Sequence, residues 1–376
     1  MKNYLLTPGP TPVPPEALEA MARPIIHHRT PQFQAILKEA EEDLKYIFNT
    51  KNSVLIFASS GTGAMEGAVS SLLSPGDKAI VVRAGKFGER WGELCSAYGI
   101  EFIPIDVEWG KAVDPQDIKK ILEKDSGIKA VYTTLCETST GASADVKAIA
   151  DVTKNTQAVL VVDAISALGA VTLKTDEWGI DVVVSGSQKG LMIPPGLAFV
   201  SLSEKAIALT EKSTLPKYYF NFKKYKKAID KNDTPYTPAV NLIIGLSEVL
   251  KLIKKDGIDN VIARHKKHAK ALRGAMKALG LELFAPEAYS DAVTSVKAPE
   301  GIDSAKLVKT MRDTYGVGIA GGQAELKGKI FRIATMGHIG ASDIKTCIET
   351  LEKVLAEMGY KFNKGTGVEA FEKALR

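Results

Sequence analysis

Three short apolar runs in the middle of the chain limit its architecture more than any other feature: residues 158–162, 182–184 and 197–200. None alternates apolar with polar residues, so each reads as a strand covered on both faces. Two of them stop abruptly, one in Asp163-Ala164 and the other in Ser185-Gly186-Ser187-Gln188-Lys189-Gly190. Further strands are expected at 54–58, 78–82, 101–105 and 130–134, with helices at 64–73 and 89–98 between them. Strands alternating with helices imply an α/β fold, a mainly parallel sheet flanked by helices on both faces. Ligands of such sheets lie beyond the carboxyl ends of the strands, where the strand order reverses.

The ends of the chain behave differently. Residues 5–15 hold Pro8, Pro10, Pro12, Pro14 and Pro15, which remove backbone donors and fix φ, so they form a rigid arm rather than a helix or central strand. Helical periods follow at 16–21 and 31–48, and His27-His28-Arg29 between them reads as a hydrogen-bonding loop. The run at 223–227, rich in lysine, reads as a solvated, mobile segment. A long helix is expected at 239–254, and Asp256-Gly257 marks a boundary. Beyond it, strands at 281–284, 292–297 and 329–334 and helices at 304–315 and 342–358 make a smaller α+β unit. The expected division is therefore an arm at 1–15, a large domain at 16–255 and a small C-terminal domain at 256–376.

Composition narrows the function classes. With 376 residues, 45% hydrophobic composition and a net charge of only +5, a large core is expected and nucleic acid is not the implied partner. No apolar run is long enough to span a bilayer, so a cytoplasmic, membrane-free protein is expected. Cys95, Cys136 and Cys347 are widely spaced and lack a ligand pattern, so buried thiols are expected, with no disulfide and no metal.

Lys189 stands just past a buried strand. A solvated surface charge and a desolvated amine suited to Schiff-base chemistry both fit that position. Asp163 ends the preceding strand, where a carboxylate needs a partner such as a metal, a helix N-terminus or a cofactor ring nitrogen. Ser60-Gly61-Thr62-Gly63 joins a strand to a helix, an arrangement that turns backbone amides toward a phosphate. It is neither a Walker loop nor a GxGxxG fingerprint, and the next strand ends in Arg83 rather than an acid, which disfavours a nicotinamide cofactor. A Schiff-base lysine, an acid for a pyridine nitrogen and a phosphate cradle are the three requirements of pyridoxal 5'-phosphate chemistry.

Across nearly its whole length the chain resembles the class V aminotransferases of fold type I, in the alanine-glyoxylate and serine-glyoxylate (serine-pyruvate) branch. The resemblance rests on the opening Thr-Pro-Gly-Pro, Ser60 to Glu66, Phe87-Gly88-Glu89-Arg90, Glu137 to Gly141, Val162-Asp163-Ala164, Ser185 to Lys189 and Phe331-Arg332-Ile333. It implies that Lys189 forms the Schiff base and Asp163 pairs with the pyridine nitrogen. Phe87 and Ile165 would sandwich the ring, Ser139 would lie near its phenolic oxygen, and Ser60, Gly61, Thr62 and Gln188 would hold the phosphate. Arg332 would bind the substrate carboxylate, with Gly9 of the arm over the same pocket. Tyr236 and Thr237 resemble a segment that reaches the phosphate of a partner subunit, which implies a homodimer; Thr234 replaces the tyrosine found in some members. Phe87 likewise stands where many relatives carry tryptophan, keeping a stacking face without an indole donor.

The implied reaction moves an amino group from alanine or serine to glyoxylate or pyruvate by a ping-pong cycle. Cysteine desulfuration on the same scaffold would need a mobile thiol, and Cys347 falls in the packed period of a helix. A non-catalytic accessory or binding subunit that keeps the fold is the other alternative.

Overall fold

The computed structural model describes residues 3–376. Its centre is a seven-stranded sheet in the order Val54–Phe57, Ala198–Leu202, Val182–Gly186, Val159–Asp163, Ile128–Thr134, Lys78–Arg83, Glu101–Asp106. Ala198–Leu202 runs antiparallel to both neighbours, and the other pairings are parallel. The strands with no internal alternation are wholly buried, because helices cover both faces and leave every side chain in a dry layer.

The crossovers contain helices Gly61–Leu72, Lys86–Ala97, Pro115–Lys124 and Val146–Thr153. The last two are short, and each starts on an aspartate, Asp114 or Asp145, whose carboxylate accepts a backbone N–H of the first turn. Residues 223–227 are not a mobile segment. They lie in helix Phe222–Ile229, which buries Phe222, Tyr225 and Ile229 and turns its lysines to solvent. The lysine run is one face of an amphipathic helix, and the apolar face at i, i+3 and i+7 decides its structure.

Helices Val240–Asp256 and Ile258–Ala278 are separated by Gly257, whose φ of +80° interrupts the helical path. The C-terminal part contains a three-stranded antiparallel sheet, Val293–Lys297, Ile330–Ala334 and Ala320–Gly321, with helices Ser304–Tyr315 and Ala341–Glu357. The strand expected at 281–284 is reduced to one bridge between Leu283 and Val296.

The proline-rich arm ties the two sheets together. Tyr4–Leu5 pairs in parallel with Val317–Gly318, and Ala334 N donates to Leu6 O at 2.8 Å. Further on, Thr11 N donates to Gln188 O at 3.1 Å and Thr11 Oγ1 to Lys189 O at 2.8 Å. The arm therefore spans from the strand that carries Arg332 to the loop that carries Lys189. Among the described residues, no helix is long and apolar enough to cross a membrane.

Candidate active site

The carboxyl ends of the parallel strands converge on one cleft, lined by Ser60, Gly61, Thr62, Phe87, Arg90, Cys136, Thr138, Asp163, Ile165, Ser166, Gln188 and Lys189. The sheet register sets this grouping: Asp163 lies opposite Thr134 on one side and Val184 on the other. Loops leaving the first two strands thus begin at the same height, and Val182–Gly186 runs two residues further before its own loop begins.

Asp163 is 3% exposed, and its Oδ1 accepts Ile165 N at 2.8 Å. Burial pushes its carboxyl up to about 7, and the charge of Glu137 pushes the same way against Arg90 and Lys189. Lys189 Nζ donates to Pro8 O of the arm. Shielding from water lowers the Lys189 amine to about 8, opposed by the charge of Asp163. Near neutrality this amine loses its proton far more easily than an ordinary lysine. Gly9 packs directly on it: a Cβ there would come within 2.3 Å of Lys189 Nζ, and its φ is +123°. Only glycine lets the arm cross the lysine so closely.

Arg332 is 5% exposed in strand Ile330–Ala334. Its Nη1 donates to Thr138 O at 2.6 Å, and Nε and Nη2 donate to Gly321 O at 2.9 and 2.7 Å. Burial lowers its pKa to about 10, opposed by the charge of Glu137. Two backbone carbonyls fix the guanidinium beside Thr138, which itself lines the cleft, while its positive charge remains unneutralised by direct contact. A carboxylate entering here meets a rigid, permanently charged fork.

Glu137 was visible only as part of a motif, yet it organises one wall. Its buried carboxylate accepts Gly88 N at 2.9 Å, Phe87 N at 3.1 Å, Ser139 N at 3.2 Å and the Ser139 hydroxyl. Burial raises its pKa, and these donors oppose the rise. The carboxylate therefore caps helix Lys86–Ala97 and fixes Phe87, a role that needs an acceptor-only group where helix N–H groups point. The Ser139 hydroxyl also accepts Lys86 N at 3.1 Å, so it braces the wall behind the cleft rather than lining it.

Of the residues singled out from sequence, Ser60, Gly61, Thr62, Phe87, Asp163, Ile165, Gln188 and Lys189 share this cleft, with Gly9 and Arg332 against it. Tyr236 and Thr237 do not: they line a separate recess with Ile56, Ala58, Tyr219 and Tyr225, and Thr237 is exposed. Tyr236 stacks on Tyr219 and donates to Tyr218 O at 2.8 Å. Arg90, Cys136, Thr138 and Ser166 also line the cleft, although the sequence assigns none of them a site role. Arg90 had a signal, lying one helical turn beyond Phe87 and so on the same face.

The family model for class-V aminotransferases matches residues 3–342. The chain belongs to this family. It is 44% identical over 378 residues to the soluble hydrogenase small subunit of Synechococcus sp. (strain PCC 6716), covering 100% of this chain and 98% of that protein. It is 38% identical over 383 residues to the L-aspartate–glyoxylate aminotransferase of Paracoccus denitrificans, covering 100% and 96%. The crystal structure of the ureidoglycine–glyoxylate aminotransferase from Bacillus subtilis matches with a TM-score of 0.95 at 30% identity, covering 100% of this chain and 98% of that one.

As a class-V aminotransferase the protein uses pyridoxal 5'-phosphate, and the cleft fits that cofactor on its own terms. Gln188 lines the cleft, and the N–H₂ of its side-chain amide can donate to a phosphate oxygen. A Cβ on Gly61 would meet Ile165 Cδ1 at 2.5 Å, so glycine keeps the first turn of its helix open against that wall. Asp163 is a buried carboxylate short of cationic contact, which a protonated ring nitrogen satisfies. The cofactor, when bound, supplies an electron sink for the carbanion formed at the substrate α-carbon. The thiols do not suit desulfuration: burial pushes Cys136 in the cleft to about 11 and Cys347 in its helix to about 12, leaving both protonated at neutral pH.

Proposed function

We propose that this class-V aminotransferase takes the amino group of a small amino acid, alanine or serine, and delivers it to glyoxylate or pyruvate, with Lys189 and Asp163 as its catalytic residues. The observation that carries the reading is the convergence of the Lys189 amine, the Asp163 carboxylate and the Arg332 guanidinium on one cleft. Arg332 binds the substrate carboxylate and thereby aims the α-carbon. Lys189, lowered to about 8 by burial, accepts and returns the α-proton, a task suited to a base whose pKa lies near the working pH. Asp163 holds positive charge at the ring nitrogen, and Phe87, fixed by Glu137, supports one face of the ring with Ile165 toward the other. Ser60, Gly61, Thr62 and Gln188 hold the phosphate. Gly9 and Pro8 of the arm cover the amine and limit access of water.

The same reading makes the protein a cytoplasmic homodimer in which Tyr236 and Thr237 face the partner's cleft. The exposure of Thr237 and its place in a recess separate from the cleft of its own chain support this. Glyoxylate appears in the names of two of the relatives, which supports it as the acceptor. The name of the Synechococcus relative raises a subunit role without catalysis; the intact set of Lys189, Asp163 and Arg332 supports turnover instead.

A panel of amino donors added to the cofactor-loaded protein, followed by the cofactor's visible absorption, tests the assignment. Alanine and serine are expected to discharge the band and glyoxylate to restore it, in the pattern of a ping-pong cycle. Lys189→Ala is expected to lose this response. A band that no amino acid changes, or turnover surviving in Lys189→Ala, overturns the proposal.

A further inference from the structure

The cradle of Ser60, Gly61, Thr62 and Gln188 carries no formal charge. A phosphate monoester brings about −1.5 to −2 at neutral pH, whereas the N-terminus of helix Gly61–Leu72 offers only about +0.5. A cationic side chain beside the cradle would supply the remaining positive charge.

Of the cations near the cleft, Arg332 is held on Thr138 O and Gly321 O, and Lys189 is the amine of the reaction. Lys86 is taken by Glu89 and lies near Glu93. Arg90 remains. It lines the cleft, its Nη1 donates to Thr62 Oγ1 at 3.3 Å, and its guanidinium carbon lies 5.1 Å from the centre of the Phe87 ring. No carboxylate among the described residues forms an ion pair with it. Two weak neutral contacts leave most of its donors open, and one of those contacts is a residue of the cradle itself.

We propose that Arg90 is the counter-ion of the cofactor's phosphate and the residue that makes this site discriminate pyridoxal 5'-phosphate from unphosphorylated pyridoxal. The inference rests on the phosphate lying at the turn 60–62. A distal carboxylate of a dicarboxylic donor is the other anion a free guanidinium attracts; the contact with Thr62 favours the phosphate.

The test measures dissociation constants of both cofactor forms by absorbance and by quenching of protein fluorescence, in wild type, Arg90→Gln, Arg90→Lys and Gln188→Ala. Melting of each cofactor-free variant checks that it is folded. Loss of a charge-assisted contact predicts that Arg90→Gln weakens pyridoxal 5'-phosphate by about tenfold or more and pyridoxal by less than about twofold, with Arg90→Lys between. The wild-type preference for the phosphorylated form is expected to shrink with added salt. Equal weakening of both forms places Arg90 on the ring through Phe87 and overturns the proposal. Unchanged cofactor binding with a raised KM for aspartate but not alanine also overturns it, in favour of substrate reading. A phosphate-selective loss in Gln188→Ala with none in Arg90→Gln removes only the role of Arg90. Absence of any phosphate-selective loss in both variants removes the placement of the phosphate as well.

Discussion

Asp163 offers a way to separate the demands of the cofactor from those of folding. In the cofactor-free protein its carboxyl is buried and pushed up to about 7, against 3.8 for an ordinary aspartate. The unfolded chain therefore ionises this group first, and between about pH 4 and pH 7 the folded form holds the extra proton. Stability falls as pH rises through that window. At about 1.4 kcal/mol per pH unit, the full cost above pH 7 is about 4 kcal/mol, an upper bound because buried carboxylates relax and recruit water. Asp163→Asn keeps an oxygen to accept Ile165 N, now at 2.8 Å, and removes the charge. Denaturant unfolding of the cofactor-free proteins should show the variant more stable at pH 8, by up to about 4 kcal/mol, with the gap closing to about 1–2 kcal/mol at pH 5. With Asp163 in its proposed role, added pyridoxal 5'-phosphate should invert the order, because the same charge would pair with the protonated ring. A variant less stable than wild type at pH 8, or a gap that does not change with pH, refutes this account of Asp163.

Four further outcomes follow from the same geometry. Arg332→Lys keeps a charge but cannot span Thr138 O and Gly321 O, so KM for alanine should rise about tenfold or more while kcat changes less, measured by steady-state kinetics. Glu137→Gln turns an amide N–H₂ toward the Phe87 and Gly88 N–H groups; losing charge-assisted contacts worth about 1.5–3 kcal/mol should weaken cofactor binding about tenfold or more and lower the melting temperature. Phe87→Leu should weaken the cofactor about three- to tenfold through lost stacking, and Phe87→Trp should restore it, both by absorbance titration. Native protein at pH 8 should react only slowly with a thiol-specific chromogenic disulfide, because burial holds Cys95, Cys136 and Cys347 at about 11 to 12 and all are enclosed; the three thiols should appear on unfolding.

The chemistry at the strand ends was legible because its signals are local. An unbroken apolar run reports burial on both faces, and whatever polar residue ends it is delivered to the edge of the sheet, as with Asp163, Gly186 to Lys189 and the Ser60 turn. The lysine-rich helix Phe222–Ile229 is masked in the sequence because its charges are conspicuous and its three buried apolar residues are spaced along one face. The cap that Glu137 places on the Phe87 helix spans 50 residues, the grip of Arg332 on Thr138 spans 194, and the contact of Lys189 with Pro8 spans 181. No periodicity records such pairs, since they arise only when separate loops reach the same height beside the sheet. The sequence by itself determined which chemical groups stand at the strand ends. Tertiary structure alone decided that burial tunes Asp163 and Lys189 toward neutral pH, that Ser139 braces a wall, that Thr237 lies outside its own cleft, and that Arg90 touches the cradle. Desolvation and through-space charge depend on packing that no segment carries in itself.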